Sequence, residues 1–172
     1  MCPRFVFRAA GRAANDKRQC SLHPHAAMST LLLVDDDLVN LWALQLALES
    51  GGHLVLLAEN GRDALQKLQR HLPRLIVTDW QMPEIDGVEL CRRVRCLPAL
   101  ADLPVILLSA MPEPEDGPPC WTAFFRKPAN LPQLMDSVDI FIAERLAEAS
   151  RRLRFDDRAP SRAQPVDARC WP

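Results

Sequence analysis

No run of apolar residues in this sequence approaches the roughly 20 needed to cross a bilayer. The longest helix-like stretch, near the C-terminus, is broken by Glu144, Arg145 and Glu148. A soluble, cytoplasmic protein that does not enter the membrane is therefore expected. An excess of one charge is missing as well. With 21 basic residues against 22 acidic ones the formal net charge is -1, so nothing draws the chain as a whole to nucleic acid or to a lipid surface, and neither is expected as a direct partner. There is no secretory signal, and the six cysteines, Cys2, Cys20, Cys91, Cys96, Cys120 and Cys170, contain no C-x-x-C pair. They read as free thiols rather than as a disulfide frame or a zinc site. His23 and His25 lie near Cys20, but a second ligand cluster at usable spacing is lacking.

What is present suffices for one hydrophobic core. The 172 residues leave room for a single ordinary domain once the ends are discounted. Residues 1–28, rich in Arg and Ala with Asp16 as the one acid, read as a disordered leader, and Met28 reads as the start of translation. Residues 29–150 read as the domain, and residues 151–172, rich in Arg, Asp, Pro and Ala, as a disordered tail.

Within the domain, short apolar runs at Leu31–Val34, Leu54–Ala58, Leu75–Thr78, Val105–Leu108 and Trp121–Phe125 alternate with segments of helical period. Such alternation predicts a parallel sheet covered by helices on both faces. The first helix spans Leu38 to Ser50, with Leu41, Leu44 or Gln45, and Leu48 inward, and Gly51-Gly52 to stop it. The stripe of Trp42, Leu44 and Leu48 reads as core. Asn60 announces a second helix with Ala64, Leu65 and Leu68 inward, and Asp86-Gly87 a third with Val88, Leu90 or Cys91, and Val94 inward. Arg92, Arg93 and Arg95 read as a solvated face. Pro112, Pro114, Pro118 and Pro119 with Gly117 forbid a regular helix between the fourth and fifth runs. The last helix begins near Asn130-Leu131-Pro132 and continues through Leu134, Val138, Phe141, Ile142 and Leu146.

Four of the five runs end in polar or charged residues: Asp35-Asp36, Asp79, Ser109 and Lys127. In a parallel sheet these ends share one edge, where ligand sites form at the reversal of strand order. Gathered carboxylates repel one another unless a cation is bound, and an all-oxygen donor set suits Mg2+. An ammonium and a hydroxyl beside them suit a phosphoryl group, whose transfer depends chiefly on positioning and electrostatics.

Five blocks carry a family resemblance: Leu31-Leu32-Leu33-Val34-Asp35-Asp36-Asp37, Ala58-Glu59-Asn60-Gly61, Val77-Thr78-Asp79-Trp80-Gln81-Met82-Pro83-Glu84-Ile85-Asp86-Gly87, Pro104-Val105-Ile106-Leu107-Leu108-Ser109-Ala110 and Arg126-Lys127-Pro128. Together they resemble the receiver domains of two-component response regulators over roughly Thr30 to Leu146. The resemblance implies a flavodoxin-like, doubly wound sheet of five parallel strands in the order 2-1-3-4-5, here with the fourth helix shortened or missing. It further implies that Asp79 accepts the phosphoryl group and that Asp35, Asp36, Asp79 and the Gln81 carbonyl hold Mg2+. Ser109 and Lys127 would contact the phosphoryl group, Ser109 and Phe124 would act as the switch pair, and Pro128 would follow the family's tight cis peptide. By the same resemblance, Gln81 and Met111 occupy positions that in related receivers tune loss of the phosphoryl group. The implied partner is a sensor histidine kinase or a histidine phosphotransfer protein, and self-catalysed phosphorylation and dephosphorylation are the only chemistry expected. With no output domain after Leu146, the chain reads as a single-domain regulator acting on a downstream protein. Two alternatives are a receiver-like docking module that is never phosphorylated, and a haloacid-dehalogenase-like phosphatase using Asp35 of Asp35-Asp36-Asp37-Leu38-Val39 as nucleophile.

Overall fold

Strands whose side chains are nearly all apolar must be covered on both faces, and three of them are. In the computed structural model, which describes residues 28–113 and 119–156 with side chains as far as Arg151, strands β1 (Thr30–Val34), β3 (Leu75–Asp79) and β4 (Val105–Ser109) are buried almost throughout. Strands β2 (Leu54–Ala58) and β5 (Ala123–Arg126) are half exposed and form the edges. The sheet is parallel throughout, in the order β2-β1-β3-β4-β5. That is the expected doubly wound arrangement.

Alternate side chains of each strand go to opposite faces. Leu31 and Leu33 of β1 join Leu75 and Val77 of β3 beneath helices α1 (Leu38–Ser50) and α4 (Leu131–Asp156), meeting Leu41, Leu48, Leu134, Val138 and Ile142. On the other face Leu32, Val34 and Ile76 pack under α2 (Gly61–Leu68) and α3 (Gly87–Cys96) against Ala64, Leu68, Leu90, Cys91 and Val94. Among the described residues no helix joins β4 to β5, in keeping with the prolines there. Cys120 and Trp121 lie against the second core in its stead, and Trp121 Nε1 donates to Glu113 Oε1 at 3.1 Å.

The three N-terminal helices start where their capping residues dictate. Asp37 accepts from Val39 N at 2.8 Å, Asn60 from Asp63 N at 2.8 Å and Asp86 from Glu89 N at 2.7 Å, each satisfying an amide that the helix cannot. Replacing Asn60, the N-cap of α2, by alanine should cost about 1 kcal/mol. A urea titration should show a lower midpoint at unchanged slope.

Several details differ from the sequence-based expectations. Trp42 is 61% exposed, because the inward stripe of α1 is set by Leu41 and Leu48 and the next residue lies about 100° around the helix. Arg95 is no solvated side chain: its guanidinium donates to the Leu103 carbonyl at 2.6 Å, tying α3 to the approach to β4. Strand β5 begins at Ala123 rather than Trp121, since the Thr122 side chain already accepts from Val105 N. Helix α4 runs to Asp156, six residues into the segment expected to be a disordered tail. The remainder of that tail, and the leader through Ala27, lie outside the described residues. Among the described residues no helix is long and apolar enough to cross a membrane.

Candidate functional site

Parallel strands deliver their last residues to one edge, and this edge carries the charge. Asp35 follows β1, Asp79 closes β3, Ser109 closes β4 and Lys127 follows β5. The Lys127 ammonium sits 2.9 Å from Asp35 Oδ2 and 2.8 Å from Asp79 Oδ1, bridging residues 92 apart in sequence on one side. Its position is set by the backbone. Lys127 N donates to Ser109 O at 2.7 Å as the terminal rung between β5 and β4, and the following Lys127-Pro128 peptide is cis. Asp35 is fixed a second time, its Oδ1 accepting from Asp37 N at 2.9 Å.

The end of β3 is held as firmly. Trp80 N donates to Leu108 O, Thr78 Oγ1 donates to the Asp79 carbonyl at 2.9 Å, and Gly87 N donates to Trp80 O at 2.9 Å, folding the loop back over the strand terminus. Gly87 is needed there. A Cβ at that position would fall inside contact distance of the Asp79 carbonyl oxygen and 2.8 Å from Leu107 Cδ1.

The electrostatics of the pocket are unequal. Burial raises the Asp79 carboxyl above its usual 3.8, and the nearby Asp35 pushes the same way, although Lys127 opposes both. Burial should lower the Lys127 ammonium, yet hydrogen bonds to Asp79 and Asp35 carry it above 10.5. The ion pair thus looks stabilising from the lysine and strained from Asp79, and the arrangement explains why: the lysine answers to two carboxylates, whereas Asp79 is penalised first by burial and then by the like charge of Asp35. The pocket is short of positive charge.

Asp35, Asp36 and Asp79 each offer a carboxylate oxygen, all within 4.8 Å of one another. Asp35 and Asp79 are buried and Asp36 is exposed, so the trio faces outward through one acid. An all-oxygen cluster with an open side and uncompensated negative charge fits a hard divalent cation. Gln81 lies exposed on the loop two residues beyond Asp79. Ser109 is fully buried, its Oγ accepting from Met111 N at 2.9 Å, and the Met111 side chain is exposed. Phe124, half buried on β5, stands in register with Leu107. Sequence reasoning overlooks the close approach at Gly87 and a thiol contact between Cys91 and Cys120. Gly87 has a signal, following Asp86 as an N-cap, whereas the thiols have none, since no spacing rule links residues 29 apart.

Comparison with known proteins agrees with this geometry. The response regulator receiver domain family matches residues 31–139. An uncharacterized 14.6 kDa protein of Leptolyngbya boryana is 46% identical over 90 residues, 52% of this chain and 69% of that one. The transcriptional regulatory protein AfsQ1 of Streptomyces coelicolor is 46% identical over 83 residues, 48% of this chain, and the match spans only 36% of that regulator. A solved receiver domain of the sensor histidine kinase PA1611 from Pseudomonas aeruginosa, with a magnesium ion coordinated in its active-site cleft, superposes with a TM-score of 0.62 at 26% identity. That superposition covers 68% of this chain and 99% of the other.

Proposed function

This chain belongs to the response regulator receiver domain family, and we propose that Asp79 is its phosphoacceptor in a two-component phosphorelay. One observation carries the reading: the Lys127 ammonium lies within 2.9 Å of both Asp35 and Asp79, which assembles acid, counter-charge and hydroxyl on a single edge. The donor is a phosphohistidine of a sensor kinase or of a histidine phosphotransfer protein. A carboxylate oxygen of Asp79 attacks phosphorus, the N–P bond breaks, and the imidazole leaves with its electron pair and takes up a proton. The product is an acyl phosphate on Asp79.

Lys127 holds Asp79 in place before transfer and then faces the phosphoryl oxygens. Ser109 has its oxygen occupied by Met111 N, which leaves its hydroxyl proton free to be donated. Asp35, Asp36 and Asp79, with the Gln81 carbonyl, would hold Mg2+, which supplies positive charge to a phosphoryl group. Support comes from the 4.8 Å carboxylate cluster and from the magnesium in the Pseudomonas receiver cleft. Ser109 and Phe124 form the switch pair, and Gln81 and Met111 bear on how long the phosphoryl group survives. Cytoplasmic, single-domain action on a downstream protein completes the proposal, supported by the 14.6 kDa size of the Leptolyngbya relative. The mass of the endogenous chain tests that part.

Acetyl phosphate with Mg2+ should add one phosphoryl group to the chain by intact mass, and Asp79→Ala should reduce this to background. Equal labelling of the variant would remove Asp79 from the role, and no labelling of either would favour a docking module that is never phosphorylated. The phosphatase alternative finds little support. Both carboxylate oxygens of Asp35 are engaged, by Asp37 N and by Lys127, and the acid at Asp156 ends a helix rather than following a strand.

A further inference from the structure

Among the described residues no helix covers the seam between β4 and β5; Cys120 and Trp121 lie there instead, and Cys120 meets Cys91 of α3 at that seam. Cys91, in the middle of α3, is fully buried, while Cys120, three residues before β5, is half buried. The Cys91 thiol donates to the Cys120 carbonyl at 2.7 Å, and the Cys120 thiol approaches Val88 O at 3.7 Å, one turn away on the same helix. Each thiol thus reaches the backbone of the segment that carries the other. We propose that Cys91 and Cys120 are a reversible thiol–disulfide site, oxidised by a hydroperoxide, that ties the β4–β5 connection to α3.

The pair divides the labour that such a reaction needs. Cys120 is the thiol that solvent can reach. The neighbouring Cys91 thiol lowers it from its ordinary value, with Arg92 and Arg95 helping, against the opposing effect of burial, and this favours attack by its thiolate. The pairing with Cys120 and burial push Cys91 up, keeping it protonated. In the first step the Cys120 thiolate attacks the terminal hydroperoxide oxygen, the O–O bond breaks, the sulfur becomes a sulfenic acid, and the departing hydroxide or alkoxide takes a proton from solvent to leave as water or an alcohol. In the second the Cys91 sulfur attacks that sulfenyl sulfur, the S–O bond breaks, and the departing hydroxide takes the Cys91 proton and leaves as water. One peroxide is reduced and two thiols lose two electrons and two protons. A dithiol reductant reverses the change by exchange. Cys96, exposed at the end of the same helix, serves as the internal control.

The test uses the full, reduced chain. It is exposed to hydrogen peroxide, remaining thiols are alkylated, and the chain is digested and mapped without reductant. A Cys91–Cys120 cross-link should dominate, vanish on treatment with dithiothreitol and be missing from Cys120→Ser, a change at a half-exposed position that the fold should tolerate. In Cys91→Ala, dimedone should instead trap sulfenic acid at Cys120. Amide exchange over residues 119–126 should slow several-fold in the oxidised chain. Cross-links scattered among Cys2, Cys20, Cys96 and Cys170, oxidation of Cys96 ahead of Cys120, or unchanged exchange over 119–126 would each overturn the proposal.

Discussion

Replacing Gly87 by alanine is expected to cost about 3 kcal/mol, at the upper end for one inserted methyl group, and to carry away most phosphoryl uptake with it. The added Cβ would press on the Asp79 carbonyl oxygen, which is backbone, and on Leu107 Cδ1 at 2.8 Å, which belongs to a fully buried side chain. Neither neighbour has room to yield. Relief must come from moving the end of β3, and with it the Asp79 side chain, or from opening the turn closed by Gly87 N and Trp80 O. Denaturant titration measures the first effect. Acetyl phosphate labelling of the still folded fraction measures the second, and normal labelling there would show that the glycine serves stability alone.

Lys127→Ala is expected to slow labelling of Asp79 about a hundredfold, the scale on which a single preorganised charge acts on a developing oxyanion. The same change alters stability in a pH-dependent way. Asp79 already titrates above 3.8 in the folded chain, so the folded state binds its proton more tightly than the unfolded state does. Stability contributed at this site is therefore greatest in acid and falls as pH rises from 3.8 through the folded value. Without the ammonium, Asp79 keeps burial and the Asp35 charge with only the Trp80 backbone amide to oppose them, so the fall should extend to higher pH. Lys127 itself works in the opposite quarter: raised above 10.5, it stabilises the native chain below that value and ceases to do so as alkali removes its proton. Melting curves of the two proteins should thus converge toward acid and separate toward neutrality. Parallel curves would mean that the ammonium is not what restrains the two carboxylates.

Most of the site is legible in the sequence, for a topological reason. Asp35, Asp79, Ser109 and Lys127 each end an apolar run, and parallel strands bring such ends together whatever the details of packing. Helix starts are legible for a local reason, since Asn60 and Asp86 bond amides only three residues away. What escapes depends on tertiary partners. The outward turn of Trp42 follows from which leucines win the core face, and Arg95 passes for a solvated residue because its acceptor, Leu103 O, lies beyond the helix. The end of α4 falls later than expected because Arg and Asp, common in disordered tails, are also acceptable helix residues when an apolar stripe precedes them. The contact of Cys91 with Cys120 requires knowing that the residues just before β5 come to rest on α3.

The last rung of the ladder, Lys127 N to Ser109 O, makes the amine and the alcohol parts of one object rather than two independent tools. A lineage could not drift at one of these positions without detuning its neighbour, because a slip of a single residue in the outermost strand would turn its side chains to the opposite face and take the amine away from the carboxylates. Inheritance should therefore preserve the two residues and the β4–β5 pairing together.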